Sequence, residues 1–314
     1  MSSIKKTSIV TNKNILQFKI SDINSFKTLI ETLSKIVSET TFIIHNPKDN
    51  KNKFTGLEIN TADTTRTVFI KIQIEHDKFV EFSCKNEKYN LGINLEKMNK
   101  MIKYVEKEDI LNVYLNENDL SHLIIEIQRA TTKGKKILKL PLTELDYEEK
   151  QTKKIDFDKI ISMGPNIYKK IFRDLDDFQN IKIICSNKKI IFNYKDDTGV
   201  EIDDEYILDI DGINMENMST QDNFIGIYPL KFLILCVKCA CLCESIQIYM
   251  KNKNSLTIKY QTISFGTIII SLSPINEDCI KNIDYDYSDD EDEIDVISNN
   301  VNKLKYDNDE CDDE

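Results

Sequence analysis

Tryptophan is absent from this 314-residue chain, and glycine and proline are scarce, with 8 and 5 residues. That scarcity excludes collagen-like repeats, proline-rich spacers and the glycine-rich loops that cradle nucleotide phosphates. No run of 18 apolar residues exists, so no helical membrane span is expected. The start, Met1-Ser2-Ser3-Ile4-Lys5-Lys6, has no apolar stretch of the kind a secretory signal needs. There are only three histidines, His45, His76 and His122, and none is spaced for acid–base work with a carboxylate. Asp176-Asp177 and Asp203-Asp204 sit in turn-like sequence and suggest no two-metal arrangement. No enzymatic activity, and in particular no nucleotide hydrolysis, is expected, and no cofactor.

Eight cysteines without a secretory route read as reduced thiols in an intracellular compartment. Four of them cluster at Cys236, Cys239, Cys241 and Cys243. A zinc site usually takes two separated pairs of ligands. These four lie on an apolar, helix-like stretch with no histidine near, so core packing is favoured over metal. A zinc-dependent regulator remains the reading that metal analysis would test.

What the chain does have is charge, unevenly placed. The net charge is −11, from 53 acids and 42 bases. Residues 284–314 hold 14 acids and 2 lysines, which leaves the rest with 39 acids and 40 bases. Such an acidic tail repels itself and reads as solvated chain; its functional reading is a decoy or a partner-binding segment.

The body alternates with the period of strands. Val68, Ile70, Ile72 and Ile74 face one way, with Phe69, Lys71 and Gln73 opposite, and the same period recurs over 246–250, 256–260 and 268–272. Turn signals such as Asn46-Pro-Lys-Asp-Asn50 and Lys195-Asp-Asp-Thr-Gly199 separate strands. Four segments predict helices: 22–37, 94–105, 163–176 and 229–242. They come in two similar pairs. Phe26-Lys-Thr-Leu-Ile30 matches Tyr168-Lys-Lys-Ile-Phe172 at an offset of 142, and Leu91-Gly-Ile-Asn-Leu95 matches Ile225-Gly-Ile-Tyr-Pro-Leu230 at 134. A duplicated α+β unit follows, with a polar join near 139–157.

The four helices carry ten bases, Lys27, Lys35, Lys97, Lys100, Lys103, Lys169, Lys170, Arg173, Lys231 and Lys238, against five acids. Lys100 and Lys103 share a face, as do Lys170 and Arg173. Basic stripes on four short helices suggest one cationic surface for a polyanion.

At this point the residues resemble a family. NLGINLEKMNKMIKYVEKEDILNVYL (90–115) looks like the second helix and following strand of the eukaryotic sliding clamp, proliferating cell nuclear antigen. IFRDLDDFQNIKIICSNKKIIF (171–192) is similar to the start of that family's second domain, and Ile268-Ile-Ile-Ser-Leu-Ser-Pro274 to its last strand. The likeness runs over roughly 15–283. It implies two duplicated DNA-clamp domains of α+β class, each with two helices and curved antiparallel sheets, in a ring-shaped homotrimer around double-stranded DNA. The implied layout is an N-terminal extension (1–14), domain one (15–142), a connecting loop (143–157), domain two (158–283) and the acidic tail. The implied partners are a DNA polymerase, a clamp loader and other replication and repair proteins, with no membrane. The setting would be the nucleus, or a cytoplasmic replication site if the chain is viral, which the Asn, Ile and Lys bias suggests.

Carried over residue by residue, the resemblance puts DNA-facing bases at Lys100, Lys103, Lys170, Arg173, Lys231 and Lys238, with Lys27 and Lys35 less securely matched. Partner peptides would meet Leu145, Asp146, Tyr147, Ile155 and Phe157 on the loop, Ala62 and Thr67 at the pocket wall, and Ser271, Ser273 and Pro274 at the C-terminal segment. There are departures. Lys150, Gln151 and Thr152 replace an apolar-Gly-apolar run, Ser271 replaces an aromatic, and Asn187 stands where the family has a ubiquitin-acceptor lysine. Ring closure would pair edge strands near 135–142 and 206–211. A monomeric polymerase accessory factor on the same fold, binding DNA by charge alone, is the alternative reading.

Overall fold

The computed structural model describes residues 14–48, 54–132, 134–145, 155–196, 198–218, 223–263 and 265–275. The expected N-terminal extension before residue 14, Asp146 and Tyr147 of the loop, and the acidic tail lie outside them. Among the described residues no helix is long and apolar enough to cross a membrane.

Two sets of elements follow one another in the same order. The first is β1 (Asn14–Ile20), α1 (Ile23–Ser34), β2 (Glu39–His45), β3 (Gly56–Ala62), β4 (Val68–Glu75), β5 (Glu81–Cys84), β6 (Lys88–Asn94), α2 (Leu95–Ile102), β7 (Ile110–Asn116), β8 (Asp119–Gln128) and β9 (Lys135–Pro141). The second is β10 (Lys159–Met163), α3 (Pro165–Phe172), β11 (Asn180–Cys185), β12 (Lys189–Lys195), β13 (Glu201–Ile207), β14 (Ile213–Met218), β15 (Phe224–Pro229), α4 (Leu230–Ala240), β16 (Cys243–Met250), β17 (Leu256–Thr262) and β18 (Thr267–Leu272). Each set is one strand, a helix, five strands, a helix and three strands. The duplication suggested by the two helix pairs therefore extends to every strand.

The helices form where capping and apolar spacing agree. Asp22 caps α1, accepting from Ser25 N–H at 3.2 Å, and Asn94 caps α2, accepting from Lys97 N–H at 2.9 Å. Pro165 opens α3, where its missing N–H costs no helical bond. Phe26, Leu29, Ile30 and Leu33 of α1 are buried, as are Leu95, Met98 and Ile102 of α2. Two buried tyrosine hydroxyls find partners: Tyr194 donates to Ile171 O at 3.0 Å, and Tyr260 to Tyr168 Oη at 2.7 Å.

Each set builds two sheets. The first set gives β5-β1-β7-β8-β9 and β4-β3-β2-β6; the second gives β14-β10-β16-β17-β18 and β13-β12-β11-β15. One join crosses between the sets. β18 pairs antiparallel with β4, Ile270 opposite Ile70 and Ser271 opposite Phe69, which fuses a five-stranded and a four-stranded sheet into one of nine. That leaves a five-stranded sheet ending at β9 and a four-stranded sheet ending at β13, each with an edge that no described strand covers. The edge in the second set is Glu201–Ile207. The expected 206–211 overlaps it only at its end, because the chain turns after Ile207, with Asp209 at φ 64°.

The outward face of the nine-stranded sheet carries a half-buried charge cluster. Glu58 on β3 receives His45 Nε2 at 3.0 Å, Lys71 Nζ at 3.3 Å and Gln73 Nε2 at 3.3 Å. Burial pushes its carboxyl up, but the bonds from His45 and Asn60 and the Lys71 charge outweigh it and hold the group at about 2, against an ordinary 4.5. A carboxyl depressed in the folded state stabilises fully above its unfolded value and loses that contribution as pH falls from about 4.5 toward 2. Glu58→Gln should lower stability by on the order of 3 kcal/mol at neutral pH. In urea melts the gap between variant and parent should shrink by roughly half or more between pH 6 and pH 3, and a gap that does not change with pH would contradict this account.

Candidate nucleic-acid interface

The four helices make one row. α2 packs on α1, α1 on α4 and α4 on α3, so the row passes from one set of elements to the other without a break. Their apolar sides are turned into the core, which leaves the polar sides, with the bases, on one surface. Lys100, Lys103, Lys170, Arg173, Lys231, Lys238 and Lys35 are all exposed, and Lys97 adds to them.

The bases differ in what they already hold. Among the described residues Lys97, Lys100 and Lys103 make no ion pair, so α2 presents the least compensated charge in the row. Lys170 lies 5.8 Å from the Tyr206 ring and Lys231 4.7 Å from that of Phe232, their ammonium groups still exposed. Arg173 bonds its neighbour Asp174 at 3.0 Å. Lys27 is half-buried and donates to Val105 O at 3.0 Å, tying α1 to the chain after α2, so it offers less to a ligand than the other seven.

Glu31 sits at the middle of the row. Lys238 of α4 reaches it at 2.7 Å and Lys35 at 3.4 Å. The Lys238 hydrogen bond holds the Glu31 carboxyl below its ordinary range, and the same contact raises Lys238. One acid thus bridges the two sets and offsets one of two lysines, so the middle of the row is less cationic than its ends.

The residues expected to meet partner peptides separate into places. Ala62, Thr67, Ser271, Ser273 and Pro274 come together where β3, β4 and β18 end. Ser273 N–H donates to Thr67 O at 2.8 Å, Val68 N–H to Asp63 Oδ1 at 2.9 Å, and Thr65 Oγ to the same Asp63 carboxylate. Ladder partners carry this cluster across the outer face in one row: Ala62, Phe69, Ser271, Thr257 and Tyr249. Phe157 packs on Tyr249 with ring centres 5.2 Å apart. Leu145 lies apart, in a cleft of about 560 Å³ with Thr41, Leu91 and Gly92, where the chain leaving β9 crosses β6. Thr143 N–H bonds Gly92 O at 3.0 Å there, an approach that a side chain at Gly92 would block. Ile155 and Phe157 lie at the far end of the loop, beside β10.

Phe69 and Tyr249 were not among the expected residues. Their signal is an aromatic at an outward position of an alternating strand, where a polar residue is usual. Asn187 accepts from the buried Lys159 at 2.8 Å, so a structural contact occupies the position where the family has a lysine. Cys236, Cys239 and Cys243 are buried in the core and only Cys241 is exposed; burial pushes the Cys239 thiol up to about 11 and that of Cys243 up to about 12, away from thiolate chemistry. Among the described residues no His, Cys, Asp or Glu group could hold a metal ion.

Comparison with known proteins agrees with this fold. The model of "Proliferating cell nuclear antigen, N-terminal domain" matches residues 15–151, and that of its C-terminal domain matches 151–275. The chain is 23% identical to a probable DNA polymerase sliding clamp of Paramecium bursaria Chlorella virus 1, over 80% of this chain and 94% of that protein. It is 22% identical to proliferating cell nuclear antigen 2 of Drosophila melanogaster, over 83% and 97%. The crystal structure of the Entamoeba histolytica proliferating cell nuclear antigen superposes with a TM-score of 0.72 at 18% identity, covering 84% of this chain and all of that one, and so shares the fold.

The Glu31 bridge makes a prediction about charge. Glu31→Gln frees Lys35 and Lys238 together, so retention on a phosphate polyanion should move to higher salt, with the slope of log affinity against log salt steeper by up to about one. Unchanged retention would mean that the middle of the row does not touch the polyanion.

Proposed function

This chain belongs to the proliferating cell nuclear antigen family, and we propose that three copies close head to tail around duplex DNA as a sliding clamp, a processivity factor for DNA polymerase. The observation that carries the ring is the sheet count. A five-stranded and a four-stranded sheet are fused within the chain by β18 and β4; the two left over have the same composition, and their free edges are the counterparts of that joined pair. A second copy supplies what each edge lacks. Two such units per chain and three chains per ring repeat one joint six times, and heterologous contacts that close in this way form rings.

The helix row then lines the hole. Lysines and arginines facing phosphates fix position without reading sequence, so the ring can move along the duplex. Processivity comes from encirclement and needs no tight binding. The chain itself catalyses nothing; it tethers replication and repair proteins, which dock on the outer row from Ala62 to Tyr249 and on the connecting loop, and a loader opens it. Its place of work is the site of DNA replication, nuclear or viral.

Two experiments bear on this reading. Changing Lys100, Lys103, Arg173 and Lys238 to Ala keeps the helix propensity of α2 and α4, touches α3 only just past its end, where Arg173 is extended, and leaves both free edges intact, so the assembly should remain at three times the 36.5 kDa chain mass. Stimulation of a polymerase on long circular templates should fall by roughly tenfold or more, with a shallower salt slope. Alanine at four lysines elsewhere, the exposed Lys78, Lys85 and Lys188 and the half-buried Lys259, is the control; an equal loss there would remove the DNA role of the helix row. Deleting residues 284–314, which removes a formal charge of −12, should leave the melting temperature unchanged and tighten DNA association at low salt, because an anionic competitor has gone; a lower melting temperature would make the tail part of the folded core.

A further inference from the structure

The internal duplication fixes which residues meet when the two free edges join. The argument rests on the ring reading and adds the register. Helix starts align the sets: Leu95 of α2 with Leu230 of α4, each directly after its cap. Following ladder partners from there, Leu91 corresponds to Gly226, one residue beyond the Ile225 of the sequence match, because Leu91 and Gly226 are buried while Ile225 is exposed; Phe42 then corresponds to Ile183, Ile59 to Phe192, and Ile72 on β4 to Asp204 on β13. The other edge is fixed by its hairpin. Arg129 N–H bonds Gly134 O before β9, and Thr262 N–H bonds Gly266 O before β18. Gly134 therefore corresponds to Gly266 and Leu138 to Ile270. The same match follows from Val113 and Ile248 through Ile125 and Ile258.

β18 and β4 pair with Ile270 opposite Ile70 and Ile268 opposite Ile72. We propose that β9 of one copy pairs antiparallel with β13 of the next in this inherited register, Lys135 opposite Glu205, Lys136 opposite Asp204, Lys139 opposite Glu201, and Leu138 and Leu140 opposite Ile202 and Val200. None of this complementarity was used in the alignment, which came from helix starts, ladder partners and a turn. Yet the register sets three lysines against three carboxylates and two apolar residues against two. Ile137 faces Asp203 as the one unlike pair.

The edges are suited to it. Ile137, Ile202 and Val200 are 49%, 38% and 51% exposed. Lys135 and Lys139 bond Glu126 and Asp119, and Glu205 bonds Lys189, all within the chain, so joining the edges would alternate acid and base columns across four strands. Pairing β9 with another β9 would set lysine against lysine, and β13 with β13 would set acid against acid, which is unfavourable for directly opposed residues. The pattern therefore selects the head-to-tail ring over a two-fold dimer.

The test is a charge swap on the full chain, read as mass in solution against dilution. The parent should be a trimer. Lys139→Glu should raise the concentration at which the trimer dissociates, by roughly tenfold per reversed pair. Glu201→Lys in the same chain should restore it, and Glu205→Lys should not. The pair Lys135→Glu with Glu205→Lys should behave likewise. Rescue of Lys139→Glu by Glu205→Lys, or no effect of any reversal on a trimeric parent, would overturn the register and leave the ring standing. A monomeric parent would overturn the ring itself. Melting curves of each variant separate lost assembly from lost folding. Leu138→Cys with Ile202→Cys offers a second check, because oxidation should then link neighbouring copies only in this register.

Discussion

The seam between β18 and β4 governs the rest of the molecule. It is a run of ordinary antiparallel hydrogen bonds between strands about two hundred residues apart in sequence. Without it the chain would be two units, each with a five-stranded and a four-stranded sheet and two helices. With it, the helices of both units fall into one row, and outward residues of five strands from both units fall into another. The cationic row and the outer row proposed for partners are both consequences of that one pairing.

The seam also explains why the two free edges differ from it in composition. Inside the chain the joint is permanent and mostly apolar: Ile268, Ile270 and Leu272 meet Ile72, Ile70 and Val68, all buried. At the free edges the corresponding positions carry Lys136 and Asp204 in place of two isoleucines, and Lys135, Lys139, Glu201 and Glu205 line the outward side. A separated chain keeps these edges in water. Charge on an exposed edge limits indiscriminate strand addition while leaving a complementary edge acceptable. In the proposed ring, a joint between copies that has to open is better built from such residues than from an apolar seam.

Much of this was legible in the sequence. The four helices were marked by Asp22, Asn94, Pro165 and apolar spacing, and the strands at 68–75, 246–250, 256–260 and 268–272 by alternation, because local capping and burial on one face leave local patterns. The basic helices were legible too, but not what their bases held: Lys27 spends a donor on Val105 O and Lys35 and Lys238 share Glu31, contacts that depend on how helices pack. Asp203-Asp204 read as a turn because consecutive acids are a loop-like composition; an edge strand with one side open to water tolerates them. The seam itself left no signal, since a pairing between residues 70 and 270 is non-local and any alternating strand could have filled either place.

The outer row from Ala62 to Tyr249 crosses the seam, with Phe69 on one side of it and Ser271 on the other. On the opposite face Glu31 and Lys238 clasp the two sets from α1 to α4. The junction between the two sets is thus spanned twice, by the nine-stranded sheet on one side and by the Glu31–Lys238 contact on the other, so a substitution that weakens one span leaves the two sets joined by the other.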